Sequence, residues 1–341
     1  MKFEKYKKIF VEKAQNVGYS YENIEKCLAY AEPLITKQLP VIYNTSHLSV
    51  LVGYNKNYIK RAALSTPKTS NFYIQYTAKK KNGKIRELAE PLPSLKEIQH
   101  WILENILYKL EVSRFAKAYI PKKTIKEHVR FHKGQEIVLT MDLKNFFDSV
   151  KFDTVEQIFT NAGYSKLISN LLTKLCTLKH TLPQGAPTSP CLSNIIFFNL
   201  DKQISEYCIS RKIKYTRYAD DMAFSGSFDT DVLIDFVKNT VESQELTINE
   251  EKTLIRRQYQ PQIICGIIVN EKVQVPKEKR NELRQAVFYI EKYGLESHLE
   301  KIEWNRGNYI KHLIGVANYI LFINPKDKNV REYRKKLEKY R

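Results

Sequence analysis

The chain has 341 residues, 43% of them hydrophobic, which is enough apolar material for one large or roughly two to three smaller packed units. Lysine and arginine number 56 against 37 aspartates and glutamates, a formal balance of +19, and so large an excess in a foldable chain points to a polyanionic partner. The eleven glycines are so dispersed that no two stand closer than eight positions, which excludes the phosphate loops of dinucleotide and P-loop sites and the G-x-S-x-G nucleophile elbow.

Cys27, Cys176, Cys191, Cys208 and Cys265 form no C-x-x-C pair, so zinc and dithiol chemistry have no support and the thiols read as small core residues in a reducing compartment. The longest nearly apolar stretch, Leu313 to Ile323, is eleven residues, well short of the roughly 20 that span a bilayer. The start of the chain lacks the apolar core of a signal peptide. The expectation is a soluble cytoplasmic protein with no membrane partner.

In chain order, the first 65 residues read as helical, with Phe3, Tyr6 and Phe10 at helical spacing and Leu48, Leu51 and Val52 before Gly53. The latter stretch reads either as two packed helices or as a helix-turn-helix. From Phe72 to Leu88 the period changes to that of two short strands joined through Lys79-Lys80-Lys81-Asn82-Gly83-Lys84, and Asn-Gly is a strong hairpin signal. A lysine-rich tip suits an anion, or simply solvates the hairpin. A helix bearing Ile98, Trp101 and Ile102 follows Pro93. Ile137-Val138-Leu139 fits a buried strand that delivers Asp142 to its end, and Val155, Ile158, Phe159 and Ala162 mark an amphipathic helix.

Ser189-Pro190 reads as an N-cap with proline at the first helical position, opening a helix to about Arg211. Lys214 to Phe224 reads as two strands meeting at Asp220-Asp221. Asp229 or Thr230 caps the next helix, and strands are expected at Leu246-Thr247-Ile248 and from Ile263 to Val269. Beyond Pro276 the pattern is helical, with one stripe at Leu283, Ala286, Val287 and Ile290 and another from Ile310 to Leu321. The tail from Lys326 carries eight basic and three acidic residues.

The chemistry concentrates at Asp220-Asp221. Adjacent carboxylates between apolar strand segments repel one another unless a cation neutralises them. Asp142 ends a separate strand 78 residues earlier. If the strand ends lie side by side, three carboxylates converge on oxygen-loving divalent ions, as two-metal phosphoryl transfer requires. Taken singly, each aspartate also reads as a turn former or a helix cap.

Tyr218-Ala219-Asp220-Asp221 resembles the signature of reverse transcriptases, Leu139 to Val150 (LTMDLKNFFDSV) resembles the motif of their first catalytic aspartate, and Leu182-Pro183-Gln184-Gly185 with Ser189-Pro190 resembles their nucleotide-contacting segment. The resemblance covers about residues 70 to 275. It implies an α+β right-hand polymerase with fingers, an antiparallel-sheet palm and a helical thumb. The division it suggests is N-terminal helices and fingers over 1–115, palm over 116–149, fingers over 150–188, palm over 189–275, and thumb with basic tail over 276–341.

In the family reading, Asp142 and Asp220 hold two Mg²⁺ ions with the backbone carbonyl of Leu143, and Asp221 completes the cluster. Phe147 lies under the deoxyribose, or is a core aromatic. Gln184 touches the nucleotide sugar, Gly185 permits close backbone approach, and Arg86 clamps the triphosphate with help from Lys79 or Lys80.

Within the family the chain resembles the bacterial retron type, on the expectation that one thumb-sized helical unit leaves no room for an RNase H, maturase or endonuclease domain. Retron enzymes carry Asn-Ala-x-x-His and Val-Thr-Gly elements. Here those places read His128-Val129-Arg130-Phe131-His132 and Ile264-Cys265-Gly266, keeping only His132 and Gly266. His132 is expected either to contact RNA or to be a surface or helix-terminal histidine; Gly266 and Tyr218 are candidates for primer contact, and Gly266 reads alternatively as a place where another strand approaches closely.

The resemblance implies RNA-templated DNA synthesis from dNTPs on a cognate non-coding RNA that is both primer and template, giving a branched RNA–DNA product (msDNA). It further implies antiphage defence with a separate effector protein, and template removal by a host RNase H. Alternatives are a stand-alone enzyme of abortive-infection or diversity-generating type, and a non-catalytic RNA-binding protein.

Overall fold

The computed structural model describes residues 2–64, 71–79, 83 and 85–341. Of the lysine-rich hairpin tip, Lys80, Lys81, Asn82 and Lys84 lie outside the described residues. The chain divides into two compact units, each assembled from separate stretches: Met1–Pro121, Leu143–Ile204 and Asn239–Thr247 in one, and Lys122–Asp142, Ser205–Lys238 and Ile248–Arg341 in the other.

The first unit is mainly helical. Helices Phe3–Asn16, Tyr21–Thr36, Thr45–Val52 and Lys56–Ala62 bear out the N-terminal periodicity, and Gly53 closes the third with φ +73°, a left-handed stop that suits glycine. Strands β1 (Tyr73–Lys79) and β2 (Ile85–Pro91) pair antiparallel with Ala78 opposite Arg86. They run longer than the sequence pattern alone suggests. Their base is anchored in a core that joins Tyr73, Leu95, Ile98 and Ile102 to Val155, Phe159, Ile168 and Leu172, so helices Pro93–Asn105, Phe152–Ala162 and Lys166–Cys176 share one apolar interior.

Two local expectations change here. Ser189 stands inside its helix, with Thr188 at the cap position and Pro190 at the second helical residue; the Ser189 hydroxyl donates instead to the Pro183 carbonyl at 2.8 Å. The long helix expected to Arg211 is two, Ser189–Ile196 and Phe198–Ser210, divided at Phe197, where ψ is 0°. The ring of Phe197 is buried against Phe146, centroids 4.9 Å apart.

The second unit is built on a four-stranded sheet in the order β4-β5-β3-β6, where β3 is Ile137–Leu143, β4 Lys214–Tyr218, β5 Asp221–Gly226 and β6 Ile248–Arg257. β5 runs antiparallel to both β3 and β4. Every β3 residue except Thr140 is buried, which is why it reads as a continuous apolar run and not as an alternation. Val138 and Ala223 of the sheet join a core with Leu283, Val287, Leu313 and Ile320 from helices Lys277–Tyr293 and Tyr309–Ile323, the two stripes seen in the sequence.

The strand expected over Ile263–Val269 is a small hairpin, β7 (Ile263–Ile264) and β8 (Ile267–Ile268). Cys265 and Gly266 form its turn with φ +46° and +75°; two successive positive values turn the chain back on itself. The strand expected at Leu246–Ile248 begins at Ile248 and extends to Arg257. No helix of the described residues is long and apolar enough to cross a membrane.

Candidate active site

The register of β3 on β5 sets Asp142 directly opposite Asp221, and the Ala219-Asp220 turn between β4 and β5 brings the third carboxylate to the same end. One carboxylate oxygen from each of Asp142, Asp220 and Asp221 lies within 4.8 Å of the others. Ala219 holds this turn with φ +59°, a conformation that costs a non-glycine residue roughly 1–2 kcal/mol. The fully buried Arg217 braces it: its guanidinium donates to the Ala219 carbonyl at 2.8 Å.

The electrostatics follow from the crowding. Asp142 is buried, and Asp220 and Asp221 are half-buried. Burial, then the charges of Asp220 and Asp142 and a hydrogen bond with Asp142, push the Asp221 carboxyl up to about 7. Lys252 of β6 donates to Asp142 Oδ2 at 2.7 Å, with Asn249 at 3.3 Å from the same oxygen. Burial pulls the Lys252 ammonium downward, but the hydrogen bond and charge of Asp142, together with Asp220 and Asp221, outweigh it and leave it above its ordinary value. Cys265, in the β7–β8 turn, donates its thiol to Asp221 Oδ2 at 3.6 Å; burial and the adjacent carboxylates push that thiol far up, so it stays protonated.

Lys252, Asn249, Cys265 and Arg217 were not legible in the sequence as parts of this site. Lys252 reaches Asp142 because β6 lies beside β3, a sheet order that no local pattern announces. Cys265, expected in the core, is only partly buried and faces a carboxylate.

His132 caps the C-terminus of helix Ile125–Phe131, as its helix-terminal reading has it, but the surface and RNA-contact readings need correction. It has 0% exposure, and its ring nitrogens bond the hydroxyls of Ser225 and Thr216, each at 2.7 Å. Thr216 also bonds His128 Nδ1 at 2.7 Å. Burial, then the neighbouring His128 and Lys214, hold His132 well below the usual histidine range, so the ring is neutral. It has no surface to offer RNA; it ties β4 to β5 through Thr216 and Ser225. Tyr218, paired with Asp221 across the hairpin, is half-buried, its ring 5.6 Å from that of His128. Gly266 has open space where a Cβ would stand, so within the protein it is the positive φ that favours glycine there, and not a close neighbour.

The other candidates belong to the first unit. Leu143, buried, ends β3. Phe147 is half-buried, edge-on to Phe146 at 5.1 Å. Lys79 and Arg86 are exposed on the hairpin. Gln184 accepts a hydrogen bond through its carbonyl from Ala89 N at 2.8 Å, and a Cβ on Gly185 would come within 2.9 Å of the Ala89 carbonyl oxygen. The close approach that Gly185 permits is thus to β2, the strand of Arg86, and the loop and hairpin form one assembly.

A divalent cation fits the carboxylate cluster. The donors are hard oxygens, which suit ions of the magnesium and manganese class, and the raised Asp221 carboxyl marks negative charge that an ion would relieve.

The family model described as reverse transcriptase (RNA-dependent DNA polymerase) matches residues 78–269. The retron Ec86 reverse transcriptase of Escherichia coli is 35% identical over 278 residues, covering 80% of this chain and 83% of that one. The retron Mx65 reverse transcriptase of Myxococcus xanthus is 28% identical over 326 residues, covering 89% and 74%. Among solved structures, a telomerase from Candida albicans in complex with a fragment of telomeric RNA aligns with a TM-score of 0.43 at 12% identity, covering 83% of this chain and 66% of that one. With three carboxylates gathered at one end of an antiparallel sheet, this chain belongs to the reverse transcriptase family, has the α+β fold of right-hand polymerases, and is a metal-dependent RNA-directed DNA polymerase of retron type.

Proposed function

We propose that the chain copies a structured non-coding RNA that serves as both primer and template, extending it with dNTPs into a branched RNA–DNA molecule. The observation that carries the catalytic part is the convergence of Asp142, Asp220 and Asp221 from strands distant in sequence. In this reading the three aspartates and the Leu143 carbonyl hold two Mg²⁺ ions. When bound, such ions lower the pKa of the primer hydroxyl and stabilise the charge of the departing pyrophosphate.

The chain's own residues supply position. Arg86, whose planar fork suits a triphosphate, and the exposed Lys79 take the incoming nucleotide's charge. Gln184 and Gly185, joined to the same strand through Ala89, contact its sugar, and Phe147 excludes a 2′-hydroxyl. Tyr218 and Gly266 lie along the primer. Lys80 is a further triphosphate contact in this proposal and lies outside the described residues. In this proposal the fingers, palm and thumb take the boundaries expected from the sequence. Support for the branched product comes from the retron relatives, and by the same reasoning the system works in the cytoplasm in antiphage defence with a separate effector, a host RNase H removing the template.

The test is twofold. Asp220→Asn is expected to lose RNA-templated primer extension in Mg²⁺ by three or more orders of magnitude; equal activity would overturn the metal site. Nucleic acid copurified with the natural protein is expected to contain a 2′,5′ linkage, and a wholly linear product would overturn the priming scheme while leaving the polymerase intact.

A further inference from the structure

A second site of defined chemistry lies in the C-terminal helices. Helix Lys277–Tyr293 presents Lys277, Arg280, Asn281 and Arg284 along one face, at the i, i+3, i+4, i+7 spacing that aligns side chains. Helix Lys328–Glu338 faces them with Asn329 and Tyr333, and a cavity of about 260 Å³ lies between. Three cations line it, and among the described residues no acidic side chain does.

Arg280 is fixed in place. Its guanidinium meets the buried Asp327 at 2.8 Å, and Asp327 in turn caps the second helix by accepting from Val330 N at 3.2 Å. The Arg280 Nε is nonetheless buried with no hydrogen-bond partner. A buried donor without an acceptor costs roughly 1–3 kcal/mol, so the hydrogen bonding of this guanidinium is incompletely met from within the protein even with Asp327 in place. Lys277 and Arg284 flank it with charge, and Asn281, Asn329 and Tyr333 add neutral polar groups.

We infer that this cavity is a phosphate-recognition pocket, built for the tetrahedral oxygens of a phosphodiester or phosphomonoester. A forked guanidinium flanked by further cations matches that geometry better than it matches a carboxylate alone. The phosphate comes either from the backbone of a bound RNA or from a free phosphate-bearing small molecule. The inference does not depend on the priming scheme, because binding is read without divalent metal or dNTP.

The experiment uses the full chain and Lys277→Gln/Arg284→Gln, two exposed positions whose loss leaves the Arg280–Asp327 pair intact. Affinity for a structured RNA hairpin is measured between about 50 and 200 mM KCl, and the slope of log affinity on log salt is expected to flatten by about one to two, near 0.7–0.9 for each phosphate no longer neutralised. In a second arm, inorganic phosphate is added in a thermal melt. A flattened slope with no phosphate-induced shift identifies an RNA backbone; a phosphate-induced stabilisation present in the natural chain and absent from the variant identifies a free ligand.

Arg280→Lys keeps the charge and the Asp327 partner but removes the fork. It is expected to weaken RNA or phosphate binding several-fold with the salt slope unchanged. An unaltered slope together with no phosphate effect in the Lys277→Gln/Arg284→Gln comparison would overturn the pocket. So would an equal flattening in Arg334→Gln/Lys335→Gln, which removes two charges of helix Lys328–Glu338 that do not line the cavity.

Discussion

Lys252 Nζ lies 2.7 Å from Asp142 Oδ2, so the most buried carboxylate of the three-aspartate cluster already has a cation of its own. A divalent ion arriving at Asp142 meets that ammonium as a competitor. Lys252 is about half exposed, which screens the interaction and limits its weight. Lys252→Met is therefore expected to raise affinity for Mn²⁺ roughly tenfold, a change of about 1.4 kcal/mol. Calorimetric titration of the nucleic-acid-free protein reads this directly; unchanged or weaker binding would show that Lys252 does not oppose the metal.

The same cluster makes stability depend on pH. The Asp221 carboxyl sits at about 7 in the folded chain against an ordinary 3.8, so between these values the folded state holds more protons than the unfolded one. Stability from this group falls as pH rises through that window, at up to about 1.4 kcal/mol per pH unit. His132 works in the opposite sense: its buried ring is neutral, so acidification below 6.5 destabilises the fold. Chelator against Mg²⁺ separates the two, since only the carboxylates bind the ion. In chelator, moving from about pH 6 to about pH 8 is expected to lower Tm by a few degrees relative to the same change in Mg²⁺. Asp221→Asn should remove that difference, and its persistence would assign the pH dependence elsewhere.

Much of this site could be read in the chain before any coordinates, for a physical reason. Asp142 follows a run of apolar strand residues, and Asp220-Asp221 interrupts another, so their charges stand out against a local background that forbids them. The residues that tune them do not stand out. Lys252 and Asn249 lie on a strand whose polar residues look like an ordinary solvated face, and only the placement of β6 beside β3 gives them meaning. The Cys265-Gly266 turn hid inside what reads as one apolar strand, because isoleucines on both sides mask two residues of positive φ.

His132 illustrates the same limit from the opposite direction. Its hydroxyl partners are 84 and 93 residues away in sequence, so nothing local distinguishes it from a surface histidine. His132→Ala leaves the Thr216 and Ser225 hydroxyls without the ring between β4 and β5. A loss of about 2–4 kcal/mol in stability is expected, from two altered hydrogen bonds and a buried void. Urea unfolding measures it. The salt slope of RNA binding should not move, whereas removing a residue that touches phosphate would flatten it. A flattened slope with unchanged stability would restore the RNA-contact role.

Gly185 and Gly266, one in each unit, separate close approach from backbone conformation. Gly185 has φ +132°, and a methyl there would meet the Ala89 carbonyl oxygen at 2.9 Å, an atom of strand backbone that cannot move without opening the Ala89–Gln184 hydrogen bond. Gly266 has φ +75° with nothing within 4 Å of the added carbon. Gly266→Ala should thus carry only the left-handed penalty of about 1–2 kcal/mol. Gly185→Ala adds a steric clash and should cost more, roughly 2–4 kcal/mol. Because Gln184 is held through that same backbone pair, the nucleotide contact proposed for it should suffer too, raising KM for dNTP several-fold in Gly185→Ala. Equal destabilisation by both substitutions, with KM unchanged, would mean that the loop yields freely and that Ala89 does not position it.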